Sequence, residues 1–120
     1  MLQKILIVED SPDLHEIYAE ALKGKIEIIS ALSIEQAQKL FDGNQDIKLI
    51  VMDYSVPFRE DDKYCSNTID LIKYIKVRFS GPIIASSSTE DCRKEQLATG
   101  CTHECGKVQV PKKIMELLGI

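Results

Sequence analysis

Basic charge is in short supply in this chain. Fifteen lysines and arginines stand against nineteen acids, a formal net charge of −4, so the sequence advertises no basic face for nucleic acid. Long apolar runs are missing too, and none approaches the roughly 18 residues of a membrane span. Met1-Leu2-Gln3-Lys4 leads straight into a strand. That leaves no space for a signal peptide and predicts a cytoplasmic protein. There are no internal repeats and no linker-like stretch, so the 120 residues read as one domain, 1–120. The four cysteines (Cys65, Cys92, Cys101, Cys105) are then expected to stay reduced. On a strand Cys101, His103 and Cys105 would share one face, yet no further ligand pair with metal-site spacing accompanies them. Two small apolar side chains packing a strand is the favoured reading.

What the chain does have is apolar runs that end abruptly in acids. Leu49-Ile50-Val51-Met52 stops at Asp53, and Ile5-Leu6-Ile7-Val8 stops at Glu9-Asp10. Such runs are too short for helix faces and read as strands buried on both sides. Between them lie helix signals. Ser11 caps a helix with Pro12 at its first position, and Leu14, Ile17, Tyr18, Ala21 and Leu22 form its stripe until Gly24 ends it. A strand over 26–30 follows. Ser33 caps the second helix, with Gln36 placed as in a capping box and Ile34, Ala37, Leu40 and Phe41 as its stripe.

After the strand over 47–52 the stretch 56–68 reads as a long polar loop, with Arg59-Glu60-Asp61-Asp62-Lys63 at its centre. It is most simply solvated, although it could gate access to Asp53 or meet a partner. A third helix resumes at Ile69, with Leu71, Ile72, Ile75 and Phe79 apolar, and Ser80-Gly81-Pro82 stops it. A strand over 82–85, a short weak helix over 90–98, a strand over 102–106 and a last helix near 112–118 complete the chain.

Strands alternating with helices predict an α/β fold: one doubly wound, five-stranded parallel sheet with helices on both faces, flavodoxin-like in form. The first, third and fourth strands are the most apolar and belong in the centre. Glu27 marks the second strand as an edge, and His103 and Glu104 mark the fifth. The order 2-1-3-4-5 satisfies this with right-handed crossovers. Its switch point lies between the first and third strands, at the carboxyl rim where such sheets bind ligands.

That rim gathers Glu9, Asp10, Asp53, Ser87 and Lys107. Like charges held this close raise one another's pKa, so the acids call for a cation. A hard ion with oxygen ligands and several waters, Mg²⁺, fits. An aspartate can attack phosphorus to give an acyl phosphate. The lysine and the hydroxyl supply the charge neutralisation and positioning that phosphoryl transfer needs.

In these residues the chain resembles the receiver domains of two-component response regulators. The resemblance spans nearly its whole length: the acid pair in Ile7-Val8-Glu9-Asp10, the acceptor in Val51-Met52-Asp53, Pro57, the hydroxyl in Pro82-Ile83-Ile84-Ala85-Ser86-Ser87, and Lys107 seven residues after Gly100. It implies phosphorylation of Asp53 by a histidine kinase or a histidine phosphotransfer protein. It implies Mg²⁺ bound by Asp10, Asp53 and the carbonyl of Ser55, with Glu9 acting mainly through water. Ser87 and Lys107 would grip the phosphoryl group, and Ser55 and Thr89 occupy positions that tune its lifetime. It implies a stand-alone signalling domain rather than an enzyme, meeting its downstream partner through the face of helix 4, strand 5 and helix 5.

The chain departs from the pattern at Glu104, where an aromatic usually stands, and at Ser88 and Val108. The loop over 56–68 is longer than the family's by about half a dozen residues. One alternative is a phosphorylation-independent interaction module of the same fold. A less favoured one is an aspartate-nucleophile phosphohydrolase resembling the haloacid dehalogenase group, which would need an acid where Ser55 stands. A flavodoxin-like mononucleotide binder is disfavoured because Glu9 and Asp10 would repel phosphate after the first strand.

Overall fold

Side-chain alternation along the strands decides the layers. The computed structural model describes residues 2–120. In chain order the elements are β1 (Gln3–Val8), α1 (Pro12–Ala21), β2 (Ile26–Ala31), α2 (Ile34–Asp42), β3 (Ile47–Met52), β4 (Ser55–Pro57), β5 (Cys65–Asn67), α3 (Ile69–Lys76), β6 (Ile83–Ala85), α4 (Glu90–Thr99), β7 (His103–Glu104) and α5 (Val110–Leu118), the last preceded by a 3₁₀ turn, Lys107–Gln109. Five strands form a parallel sheet in the order β2-β1-β3-β6-β7. This is the predicted 2-1-3-4-5 order once the inserted pair β4-β5 is set aside. Among the described residues no helix is long and apolar enough to cross a membrane.

Ile5, Ile7, Leu49, Val51 and Ile84 face one side of the sheet and pack on Tyr18 of α1, on Leu22 at its C-cap and on Val110 and Ile114 of α5. Leu6, Val8, Ile50, Met52, Ile83 and Ala85 face the other side and meet Ile34 and Ala37 of α2 and Leu71, Ile72 and Ile75 of α3. The period of two in the strands thus feeds two cores. Each fully buried aliphatic side chain contributes about 1.5–3 kcal/mol of transfer free energy. Lys48 drops out of register, since Lys4 pairs with Ile47 but Ile5 with Leu49, and it lies exposed.

Several elements differ from expectation. The buried residues of α1 are His15 and Tyr18, joined by Leu22 at its C-cap, whereas Ile17 is 58% exposed. Positions 15, 18 and 22 follow the i, i+3, i+7 spacing of one helical face, and residue 17 lies about 100° round from 18. α3 stops at Lys76, so Phe79 reaches the core from the following turn, edge-to-face on Phe41 at 6.2 Å. A Cβ on Gly81 would lie 2.6 Å from the Phe79 ring and 3.0 Å from the Lys48 carbonyl, which is why glycine stands there. α4 is as long as α1, ten residues. β7 is two residues rather than five, since only His103 and Glu104 pair with β6, opposite Ile84 and Ala85.

The largest difference is at 56–68. The polar stretch is an antiparallel hairpin, with Ser55 opposite Asn67, Val56 opposite Ser66 and Pro57 opposite Cys65. Val56 is fully buried in the core and anchors it. Its far end is tied to α2: the Glu35 amide donates to the Phe58 carbonyl at 2.9 Å, and Arg59 Nε meets Glu35 Oε2 at 3.2 Å.

The caps read from the sequence are present. Ser11 Oγ accepts from the Leu14 amide at 3.3 Å, and Ser33 Oγ accepts from the Gln36 amide at 3.1 Å. The Gln36 side chain reaches back one residue further than a simple capping box, accepting from the Leu32 amide at 2.8 Å. Ser33 is buried, so Ser33→Ala strands the Gln36 amide. The expected loss is about 1–2 kcal/mol, read as a lower urea midpoint.

Candidate functional site

The β1–β3 ladder continues one step beyond both strands. The Asp53 amide donates to the Val8 carbonyl at 3.0 Å, which brings the two strand-end acids side by side. On the other edge of β1 the Glu9 amide donates to the Ala31 carbonyl of β2 at 3.0 Å. Glu9, Asp10 and Asp53 offer carboxylate oxygens that all lie within 4.8 Å of one another. Glu9 and Asp53 are buried and Asp10 is exposed.

Lys107 reaches over from the 3₁₀ turn after β7. Its Nζ lies 3.0 Å from Asp53 Oδ2 and pairs with Glu9 Oε1. The turn is pinned by Tyr18, whose hydroxyl donates to the Lys107 carbonyl at 2.7 Å. Burial, with the Glu9 charge adding to it, pushes the Tyr18 hydroxyl far above its ordinary range, so it remains a donor. The other oxygens are held by backbone: Glu9 Oε2 accepts from the Ser11 amide at 3.0 Å, and Asp53 Oδ1 accepts from the Tyr54 amide at 2.8 Å.

Burial raises the Asp53 carboxyl from 3.8 to about 6; the Glu9 charge adds to the rise and Lys107 opposes it. Asp10 is also raised, first by burial and then by Glu9. Burial works against ionised Glu9 as well, but the Lys107 bond and charge and the Ser11 amide prevail and its pKa falls. Lys107 is desolvated, yet Glu9 and Asp53 together raise it. The cluster has three acids and one ammonium group, which pairs with Glu9 and Asp53 only. A site of clustered hard oxygens with unneutralised charge fits the metal site of a receiver domain.

Of the other predicted residues, Ser87 lies buried on the loop after β6, where its Oγ accepts from the Thr89 amide at 3.2 Å. Ser55 is exposed at the start of β4, opposite Asn67. Cys101 and Cys105 do not share a face. Cys101 packs in the core with α2 and α3, and Cys105 packs in the core with α1 and α5. The regular strand covers only His103 and Glu104, so strict alternation does not carry across 101–105. Among the described residues the metal-competent cluster is the acidic one at the rim.

Several supporting residues escaped sequence reasoning. Thr68 is fully buried, and its hydroxyl donates to the Asp53 carbonyl at 2.6 Å instead of capping α3. His15 Nε2 bonds the Glu9 carbonyl at 2.6 Å. Gln96, fully buried on α4, donates from Nε2 to the Met52 carbonyl at 2.9 Å. Cys65 Sγ, from the hairpin, lies 3.7 Å from Asp10 Oδ2. Only Thr68 carried a signal, a threonine just before a helix, and that signal pointed to a different role.

No family model and no curated sequence matches the chain. Solved structures do. A two-component response regulator from Clostridium difficile superimposes with a TM-score of 0.81 at 20% identity, over 98% of this chain and 96% of that one. A CheY-like receiver domain from Methylobacillus flagellatus gives 0.79 at 17%, over 99% and 98%. The BeF₃-activated receiver domain of Klebsiella pneumoniae RstA gives 0.76 at 20%, over 97% and 95%. This chain has the receiver-domain fold. In this receiver fold the acids occupy the carboxyl rim at the β1–β3 switch point, and Lys107 approaches from the edge of β7. The β4-β5 hairpin fills the connection between β3 and α3. Glu104, on β7, carries an ion pair with Arg93 at 2.9 Å.

Proposed function

We propose that this protein is a phosphoryl-accepting receiver in a two-component phosphorelay, with Asp53 as the acceptor. The observation that carries this reading is the pairing of Asp53 with Lys107 inside a cluster with Glu9 and Asp10. Asp10, Asp53 and the Ser55 carbonyl would hold Mg²⁺, with Glu9 nearby, and the ion's charge would offset that of the phosphoryl group. An Asp53 carboxylate oxygen forms a bond to phosphorus while the P–N bond of a donor phosphohistidine breaks, and the imidazole leaves with the bonding pair and takes up a proton. Lys107 then passes from Asp53 to a phosphoryl oxygen, and the Ser87 hydroxyl donates to another. The donor is a histidine kinase or a histidine phosphotransfer protein, the setting is cytoplasmic, and the domain signals rather than turns over a substrate. The downstream partner would meet the surface of α4, β7 and α5.

A second reading is an interaction module that works without phosphorylation. Glu104 favours it, because a carboxylate held by Arg93 offers no aromatic ring to report the state of the rim. A phosphohydrolase is not favoured, since the position two residues after Asp53 is an exposed serine.

The deciding experiment is intact mass after incubation with acetyl phosphate and Mg²⁺. One added phosphoryl group is expected, absent without Mg²⁺ and absent in Asp53→Asn. No adduct, together with no binding of beryllofluoride, would leave the interaction module standing.

A further inference from the structure

Ser87 sits on 86–89, a loop without regular structure. What holds it comes from α4. Arg93, near the start of that helix, donates from Nη1 to the Ser87 carbonyl at 2.7 Å and from Nε to Glu104 Oε1 at 2.9 Å. A guanidinium is a planar fork that can hold two acceptors in a fixed relation. It therefore joins the loop of the rim to the edge strand β7.

The state of the hydroxyl matters as well. Ser87 Oγ already accepts from the Thr89 amide at 3.2 Å. A serine hydroxyl has one hydrogen and two lone pairs, so its hydrogen is left to be donated. The backbone oxygen of Ser87 is fixed by Arg93 and its side-chain oxygen by Thr89. The residue is thereby set in place before any phosphoryl group arrives. Neither side-chain bond of Arg93 goes to the acid cluster; its one bond towards the rim is to the Ser87 carbonyl.

We infer that Arg93 is a positioning residue for the phosphoryl site, acting through Ser87 and itself held by Glu104. The inference rests on the phosphoryl-acceptor reading and adds to it the residue that presents the hydroxyl. It also gives Glu104 a purpose. The carboxylate anchors the guanidinium fork from the partner-facing edge, so anything that engages Glu104 there changes how Ser87 is held. By linkage, filling the phosphoryl site changes how available Glu104 is.

The test is a double-mutant cycle on the full chain, reading the dissociation constant of beryllofluoride in saturating Mg²⁺. Ser87→Ala and Arg93→Met should each weaken binding about tenfold, the scale of one charge-assisted hydrogen bond. The double variant should be no weaker than either single one, because Arg93 has nothing to position once the hydroxyl is gone. Arg93→Lys should recover part of the loss, and Glu104→Gln should show a smaller loss that likewise vanishes in the Ser87→Ala background. Additive effects, or no effect of Arg93→Met in a folded variant, overturn the inference and leave the acceptor reading intact. If Arg93→Met does not fold, the Glu104→Gln and Ser87→Ala cycle decides by the same criterion. Failure of the parent chain to bind beryllofluoride overturns the acceptor reading and this inference together.

Discussion

Asp53→Asn raises the stability of the metal-free protein at pH 7. Burial and the Glu9 charge lift the Asp53 carboxyl from 3.8 to about 6 in the folded chain. An unfolded chain gives up that proton at the ordinary value, so folding binds a proton between the two. The contribution of Asp53 is fully present below about pH 4, fades as pH rises to about 6, and stays lost at pH 7. A shift of this size corresponds to about 3 kcal/mol as an upper bound. Asparagine keeps the shape and can keep the bond from the Tyr54 amide, but removes the charge. It gives up the Lys107 contact, although Lys107 retains Glu9. The expected gain is about 1–3 kcal/mol at pH 7, or several degrees in melting temperature.

Two controls give the prediction its shape. The gain should vanish below about pH 4, where the native carboxyl is also neutral. On the proposed reading it should shrink or reverse in Mg²⁺, because a cation held at the site would stabilise the parent more than a variant that has lost one carboxylate. The same titration sets cation affinity, which should fall as pH drops through about 6 and protons compete for Asp53. A variant less stable than the parent at pH 7 without metal would contradict the account of the site.

Lys107→Met has the opposite sign. Lys107 is the ammonium group between two buried carboxylates, whose side chains are 4% and 10% exposed for Glu9 and Asp53. Methionine keeps most of the apolar stem and loses the charge. Removing one partner of a buried pair costs about 3–5 kcal/mol when the remaining charge stays buried. Here protons and solvent at exposed Asp10 give partial relief, so the expected loss in metal-free buffer at pH 7 is about 2–4 kcal/mol, read from the urea midpoint.

The pH dependence follows from the directions of the shifts. Lys107 stands above its ordinary 10.5, so its contribution persists until the pH climbs past that value. Glu9 is held low by Lys107 and climbs without it, so the loss should be smaller in acid, where Glu9 and Asp53 both take up protons. Asp53→Asn in the Lys107→Met background should recover much of the loss, because one stranded charge remains where there were two. Full additivity of the two changes would show that the groups do not act as one cluster.

What the chain declares locally is the framework. Short apolar runs are strands because each residue is buried on one face or the other, and their order follows from which runs carry charge. Glu27 and Glu104 mark edges because an edge strand has one side free. Asp53 and Glu9-Asp10 were legible as a cluster because each ends such a run, and neighbouring parallel strands end at the same rim. The caps at Ser11 and Ser33 were legible because a cap is a contact across three residues.

The tertiary structure decided the individual contacts between segments far apart in the chain. The polar composition of 56–68 concealed a hairpin, since one buried valine and cross-strand pairing outweigh the charges at its tip. Tyr18 was legible as a core residue, but not that its hydroxyl reaches the Lys107 carbonyl, 89 positions away. Thr68 carried a capping signal and spends its hydroxyl on Asp53 instead. Arg93 carried no signal at all, because its role exists only where the start of α4, the loop after β6 and the edge of β7 converge. Sequence patterning determined which residues of the parallel strands are buried and which acids reach the rim, because both are properties of single strands. Which donor holds which oxygen was left to the packing of one element against another, for that geometry exists only once the chain has closed.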